Sequence, residues 1–542
     1  MKKILLAALL AVSVTTQAQL PVFTGFNINP AGDSYPYYFT YLNGKIYFTA
    51  DDGTHGTELW VTDGTPGNTS MVKDINIGAA NGNPQGLITY DGKLYFGANN
   101  GIDGTELWVS DGTAAGTQML QNISLGGSSN PYAFHTFNGK LFFTANNGTD
   151  GYELWMCDGT SAGTQMLKDI NPGADGSSIN SFTAFNGKLY FTANNSASGN
   201  YEMWVTDGTT VGTQLFKETD PDPAGYGDPS RYIVAGNKMY FIARTTTTGM
   251  ELWVSDGTAA GTQMVKDIKT GIAGGISTNG MAVLNNKLYF SADEGVNGYE
   301  LWVTDGTTAG TQMIKDIYPG ATSSYVYSPI AYKNKVYFGA HDGANGYELW
   351  ATDGTSAGTQ LVKDVLSGLD GSAPGDFIIY KNKLYLLASQ AVADVQMYMS
   401  DGTAAGTQLV APALAPLSNP LSGTNYFMVC DSGLFFRAKY NSDGNEMWRI
   451  KDTTNTVGIV TVASGTDIRI YPNPAHHNFT IKTTTAFTTG IITLTDLTGR
   501  IVKTQKLYAN LETIAVDGIA PGMYIADVWL DNKRSTQKLI VQ

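Results

Sequence analysis

The sequence predicts an all-β protein: a β-propeller of about nine four-stranded blades, with eight as the alternative, followed by a small C-terminal β-sandwich. Three observations lead there. First, the motif Glu-Leu-Trp-Val-Thr-Asp-Gly-Thr, followed by Gly-Thr-Gln-Met-Val-Lys-Asp-Ile, stands in nearly pure form at Glu106–Ile123, Glu251–Ile268 and Glu300–Ile317. Its tryptophan recurs at Trp60, Trp108, Trp155, Trp204, Trp253, Trp302, Trp350 and Trp448, with Tyr398 in the missing slot. The steps are 48, 47, 49, 49, 49, 48, 48 and 50 residues. A fixed period in that range marks a repeat architecture. Second, a hairpin cue recurs with the same period. Third, the period stops at Thr466, where a different module begins.

Composition agrees. A chain of 542 residues is too long for one ordinary core unless stacked repeats extend it. Gly is abundant (63 residues), aromatics make up 11% and charged residues only 15%, a β-rich and turn-rich balance. The formal net charge is -14. Lys2, Lys3 and a net two positive charges from Thr466 onward leave -18 on the stretch between. Such an acidic surface repels phosphate backbones, so no nucleic-acid partner is expected. Cys157 and Cys430 occupy different places in the repeat, which does not indicate a disulfide framework.

The N-terminus reads as a signal peptide over residues 1–18. Lys2-Lys3 precede an apolar run from Ile4 to Val14, and Thr16-Gln17-Ala18 supply small residues before a cleavage that leaves Gln19 first. The run is too short to span a membrane, and no later stretch reaches that length. No cysteine follows the leader, so no lipid anchor is expected there.

The repeats occupy residues 19–463. Each unit opens with a hairpin, clearest as Phe185-Asn186-Gly187-Lys188-Leu189-Tyr190-Phe191. Asn-Gly between apolar runs is a strong hairpin cue, because both residues take positive φ. Its copies are Asn43-Gly44, Asp91-Gly92, Asn138-Gly139, Gly236-Asn237, Asn285-Asn286, Lys333-Asn334, Lys381-Asn382 and Ser432-Gly433. The motif then supplies two more strands, as in Glu300–Thr304 and Thr311–Lys315 around a turn at Asp305–Gly310. Seven units place Gly in the slot of Gly310, and the first places Asn68. Gly and Asn enter the left-handed region most cheaply, which predicts positive φ there.

Four strands in about 48 residues make a propeller blade; a β-solenoid fits less well. Val22–Pro30 resembles the end of a unit, so a lone N-terminal strand is expected to pair into the last one and hide two sheet edges. The last unit keeps Glu446-Met447-Trp448 but loses Asp-Gly-Thr, which leaves open a cap outside an eight-bladed ring. Two links break the pattern, Asp220–Pro229 and Ala411–Pro416. Such irregular loops on a rigid ring carry either specificity or neutral drift.

From Thr466 to Gln542 the tail contains Tyr471-Pro472-Asn473-Pro474, Asp496-Leu497-Thr498-Gly499-Arg500, Pro521-Gly522-Met523-Tyr524 and Lys538-Leu539-Ile540-Val541. Strands with turns every 8 to 12 residues suggest a small β-sandwich. Taken together, these segments closely resemble the type A C-terminal sorting domain of the type IX secretion system. That resemblance implies Bacteroidota-type export through the secretion machinery to the outer surface or the medium, with the tail often removed. The repeats resemble the family named for its Glu-Leu-Trp-x-x-Asp-Gly-Thr motif, a label that implies no activity.

The motif residues read as structural. Asp63, Asp111, Asp158, Asp207, Asp256, Asp305, Asp353 and Asp401 invite a calcium reading, but one carboxylate and a few hydroxyls per turn are too few for six to eight oxygen ligands. An Asx-type turn, similar to the Asp-box turn of sialidase-type blades, explains them, and no cofactor is expected. Acidic loops such as Asp51-Asp52-Gly53, Asn99-Asn100-Gly101, Asn146-Asn147-Gly148, Asp293-Glu294-Gly295 and His341-Asp342-Gly343 read as turns, with a shallow ion or sugar site as the alternative. The tryptophans are expected between blades rather than as sugar platforms. The repeated glutamates are expected to pair with a hydroxyl or with the repeated lysines.

An enzyme needs a unique constellation. His55, His135 and His341 are scattered, His476-His477 lie in the tail, and no nucleophile elbow, zinc spacing or phosphate loop occurs. A sialidase-like site wants three arginines on one rim, whereas the repeats offer Arg231, Arg244, Arg437 and Arg449 in two distant units. The expectation is a monomeric, non-enzymatic, secreted or surface-displayed protein that binds a glycan or a surface protein. A propeller-fold glycan hydrolase or lyase and a passive surface-layer component are the alternatives.

Overall fold

The computed structural model describes residues 21–195, 200–220, 222, 225, 227–391, 394–410, 421, 427–440, 444–451, 468–471, 475, 478–483, 490–496, 501–520, 522–531 and 533–541. The leader, the link at Ala411–Pro416, residues 472–474 and residues 497–500 of the tail motifs lie outside them. The chain divides into two compact units, Pro21–Asp452 and the tail from Thr453.

In the first unit the described residues form nine four-stranded antiparallel sheets. The sixth shows the plan: Ile276–Leu284, Lys287–Ala292, Glu300–Thr304 and Gln312–Lys315 pair in sequence order. The second strand is buried on both faces, as in Lys93–Asn99, where the five central residues are all buried. A strand covered on both sides must be sandwiched between neighbouring sheets. The apolar clusters bear this out, each combining two consecutive sheets. One joins Tyr240, Leu252, Val254 and Val265 of the fifth sheet to Leu288, Phe290 and Trp302 of the sixth. The first strands of the first eight sheets touch in succession, and that of the ninth touches that of the first. The fold is therefore propeller-like, with first strands innermost and fourth strands outermost.

The ninth sheet is completed from the other end of the unit. Val22–Phe26 pairs antiparallel with Glu446–Lys451, with Gly25 opposite Trp448. A side chain at position 25 would meet the Trp448 ring at 3.0 Å, so glycine lets the strand lie flat on the indole. Phe26 and Ile28 then share a cluster with Phe435, Met447, Phe48 and Trp60, which seals the ninth sheet against the first.

Two turn expectations need correction. The Gly310 slot does not have positive φ; that conformation belongs to the glycine of Asp-Gly-Thr, as at Gly306 (φ 87°) and Gly112 (φ 92°). Glycine at 310 makes room for the Asp305 carboxylate, whose Oδ1 would lie 2.1 Å from a Cβ there; in the first unit, where Asn68 fills the slot, the turn is reshaped around Pro66–Asn68. The ninth hairpin turns at Asp431-Ser432, one residue earlier than the spacing indicated, because its strands are Met428–Cys430 and Gly433–Ala438. The other Asn-Gly type turns behave as expected, with Asn43 at φ 50° and Gly44 at φ 81°, except Gly236-Asn237, where Gly236 alone has positive φ.

The tail contains two antiparallel sheets around one apolar cluster. Three strands, Ile468–Tyr471, Asn478–Thr483 and Leu511–Ala515, form one sheet. The other has the order Ile501–Leu507, Gly490–Asp496, Gly522–Leu530, Lys533–Val541. Phe479, Ile481 and Ile514 of the first meet Ile492, Leu494, Tyr524 and Val528 of the second.

Candidate functional site

Strand direction alternates within each sheet, so the ring has two unlike rims. The hairpin turns and Asp-Gly-Thr turns lie on one. The loops between second and third strands, and the links to the next sheet, lie on the other.

On the turn rim the repeated aspartates build their own loops. Asp305 Oδ1 accepts the Thr307 N–H at 2.9 Å and its hydroxyl at 2.7 Å, while Gly310 N–H donates to Thr307 Oγ1 at 2.9 Å. Asp63, Asp111, Asp158, Asp207, Asp256, Asp353 and Asp401 make the same pair of bonds to the threonine two residues on. The threonine hydroxyls, then the amides, hold these carboxyls below their ordinary pKa. In the first unit the Asn68 side chain donates to Asp63 Oδ2 at 2.6 Å, so asparagine there extends the same loop by its side chain. Among the described residues no three His, Cys, Asp or Glu side chains gather around one point.

The tryptophans lie at the sheet interfaces. Trp302 is 4% exposed, Trp350 6% and Trp448 2%, and Tyr398 takes the same position at 8%. None presents a face to solvent for a sugar to stack on. Each buried aromatic contributes on the order of 1.5–3 kcal/mol. The repeated lysine and glutamate do not pair with each other. Lys315 crosses to the next sheet, where its Nζ donates to the Thr359 carbonyl at 2.9 Å and lies 5.6 Å from the Trp350 ring centre. Lys73, Lys168 and Lys266 repeat that crossing.

Glu300, fully buried, stays in its own unit and ties down the link that follows. Its carboxylate accepts the Ile317 and Ser324 N–H groups at 2.7 and 3.0 Å. Burial pushes Glu58, Glu153, Glu251 and Glu300 up to about 7 against the opposing pull of these amides. In the last sheet Glu446 makes these bonds to the start of the unit, accepting from Ile28 N–H at 3.0 Å and Ser34 Oγ at 2.7 Å. The acidic loops are turns: Asp342 Oδ1 accepts the Ala344 and Asn345 N–H groups at 2.9 and 2.8 Å.

The link rim is where the repeats diverge. Each of the first eight innermost strands carries an irregularity near its start, as between Ser230 and Ile233 or Tyr327 and Ile330. Left-handed residues mark these points: Tyr38, Ala133, Ser181, Arg231, Ser328 and Asp376, with Gly86 and Gly280 in the remaining two strands. A non-glycine residue there stores on the order of 1–3 kcal/mol of strain and persists only where its surroundings fix it. The backbone shape is thus kept from sheet to sheet while the side chain changes, which is the opposite of the motif residues.

A cavity of about 840 Å³ opens among these points. Across four consecutive sheets it is lined by Arg231, Thr278, Asn279, Gly280, Tyr325, Tyr327, Ser328, Tyr347 and Ala373. Tyr327 lies flat because Gly339 stands behind it, where a Cβ would be 2.3 Å from the ring. Tyr347 meets Tyr327 edge-on at 5.9 Å, and Tyr299 stacks on Tyr325 at 6.2 Å. A smaller hollow of about 360 Å³ on the same rim includes Tyr35, Tyr37, Tyr38 and Gln85. The motif residues contribute nothing to the larger cavity. Of its lining residues, sequence reasoning singled out Arg231 alone; the exchange of Thr for Gly at 339, beside a tyrosine at 327, was the other available signal. The three remaining arginines of the repeats do not line it: Arg244 is exposed at the end of Lys238–Thr245, Arg437 covers the Tyr37 ring at 4.4 Å, and Arg449 donates to the Gly64 carbonyl and to Thr24 Oγ1.

Residues 469–542 match the family model described as a secretion system C-terminal sorting domain, the type IX tail. This domain directs export to the cell surface or the medium and engages the type IX machinery. No curated protein matches the chain. Among solved structures it is similar to a puromycin hydrolase (12% identity, TM-score 0.35, 66% of this chain and 58% of that one). It is also similar to a prolyl endopeptidase (12%, 0.39, 66% and 54%) and to oligopeptidase B from Leishmania major (10%, 0.37, 66% and 52%). The chain thus spans little more than half the length of each.

Proposed function

We propose that the protein is a secreted or surface-displayed saccharide-binding protein, a nine-bladed propeller of the Glu-Leu-Trp-x-x-Asp-Gly-Thr type. In this reading a leader of residues 1–18 takes it across the inner membrane, and a sandwich-like tail takes it across the outer one. The observation that carries the binding role is the mouth cavity, where tyrosine rings alternate with Asn, Thr and Ser side chains at the points where the repeats differ. Concave sites with apolar walls and a few convergent polar groups are the usual form of a small-ligand site. Binding is favoured over hydrolysis because the nine described lining residues include no carboxylate, and glycoside hydrolysis ordinarily uses two.

A glycan array probed with the full-length protein, with and without calcium, tests this. A subset of glycans should be retained, and Tyr347→Ala should lose them; no retention in either condition would count against the reading. A second reading, adhesion to a protein surface, is favoured by exposed apolar side chains on the same rim: Ile77, Ile102, Leu125, Ile272, Val296 and Leu369. The turn rim of the described residues bears one comparable side chain, Val211. Retention of protein partners with no glycan bound would select it.

A further inference from the structure

The saccharide reading leaves open what kind of sugar the cavity takes, and one residue narrows it. Arg231 is the single charged side chain among the nine described residues that line the cavity. Its side chain is exposed, with no side-chain hydrogen bond or ion pair to another described residue, in a chain whose net charge is -14. Its guanidinium is therefore available to a ligand at the cavity wall. Its backbone is also committed, with φ at 54° on the irregularity of the fifth innermost strand, just past the non-repeated link at Asp220–Pro229.

The rest of the cavity suits a sugar that carries an anion. Tyr325 and Tyr347 offer ring faces, and Asn279, Thr278 and Ser328 offer amide and hydroxyl groups for hydroxyls. A guanidinium presents parallel N–H donors that match an oxyanion in a charge-assisted, bidentate pair. The acidity of the remaining surface does not forbid this. Charges beyond roughly 8 Å are largely screened at physiological salt, and none of the described lining residues is acidic.

We infer that the cavity binds an acidic saccharide, its anionic group paired with Arg231 and a neighbouring ring stacked on Tyr325 or Tyr347. This rests on the saccharide reading above. The shared chemistry is a sugar-borne oxyanion, which a uronic acid or a sulfate ester supplies equally, so both belong in the test. Full-length protein is titrated calorimetrically with hexagalacturonate, with its methyl ester, and with a sulfated glucan of equal length.

Wild type should bind at least one acidic sugar about tenfold or more tighter than the ester, and the tighter arm identifies the anion. R231Q should erase the preference by bringing the acidic sugar down to the affinity of the ester, while R231K should keep part of it. An unchanged melting temperature for R231Q, expected because the Arg231 side chain is exposed and the substitution leaves the backbone alone, shows that the sheet is intact. Equal binding of acidic and neutral sugars by wild type, or a preference that survives in R231Q, overturns the acidic-sugar inference and leaves the saccharide reading standing. Failure of all three sugars to bind overturns both.

Discussion

At the scale of single residues, the same amino acid is kept for different reasons at different slots. Gly306 is glycine because its φ is 87°, whereas Gly310 is glycine because the Asp305 carboxylate occupies the space a Cβ would take. The two causes separate experimentally. Gly310→Ala should lower stability by about 1–3 kcal/mol through overpacking, read as a fall in melting temperature. Adding Asp305→Ala should recover part of that loss, because it removes the clashing group. If the double variant were less stable by the plain sum of its parts, steric conflict would not be the cause. The glycine was legible from its recurrence, but its reason was not. Asn68 pointed toward backbone freedom, whereas in the structure its amide bonds Asp63 and lengthens the turn.

At the scale of elements, strands and turns were legible and their side-chain partners were not. Alternation and Asn-Gly cues located the hairpins because local φ requirements are written locally. The partners of Glu and Lys depend on which strand end a link returns to, which no spacing records. The buried glutamates have a measurable consequence. Their folded pKa, about 7 for Glu58, Glu153, Glu251 and Glu300, lies above the ordinary value of 4.5. Between those values the folded chain holds more protons than the unfolded one, so this contribution is fully present below pH 4.5 and declines as pH rises through 7. Denaturant midpoints should therefore fall between pH 5 and pH 8 after allowance for other groups. Glu300→Gln should flatten the slope, since Gln396 already occupies this slot in the eighth sheet. A slope unaffected by that change would mean that Glu300 is ionised in the fold throughout.

At the scale of the whole molecule, the repeat period announced an architecture of many small sheets, and the degraded last unit left its closure ambiguous. The mouth cavity was invisible because its residues come from four units and share no motif. Their common feature is a backbone irregularity, not a side chain. The sorting tail was legible because its recognition segments are contiguous. Removing the chain from Thr466 onward should leave the protein in the periplasm by cell fractionation; normal surface delivery of the truncated chain would show that residues 469–542 do not direct its export.

The pairing of Val22–Phe26 with Glu446–Lys451 makes the ring a test of its own completeness. A chain that stops anywhere within the repeats leaves its opening strand without a partner and two sheet edges bare, both open to proteolysis or to pairing with another chain. Only a chain translated through the ninth sheet can latch, and the sorting segment lies beyond that point. Fragments therefore lack the latch and the export signal together, so truncated rings are withheld from the surface by the order of the sequence itself.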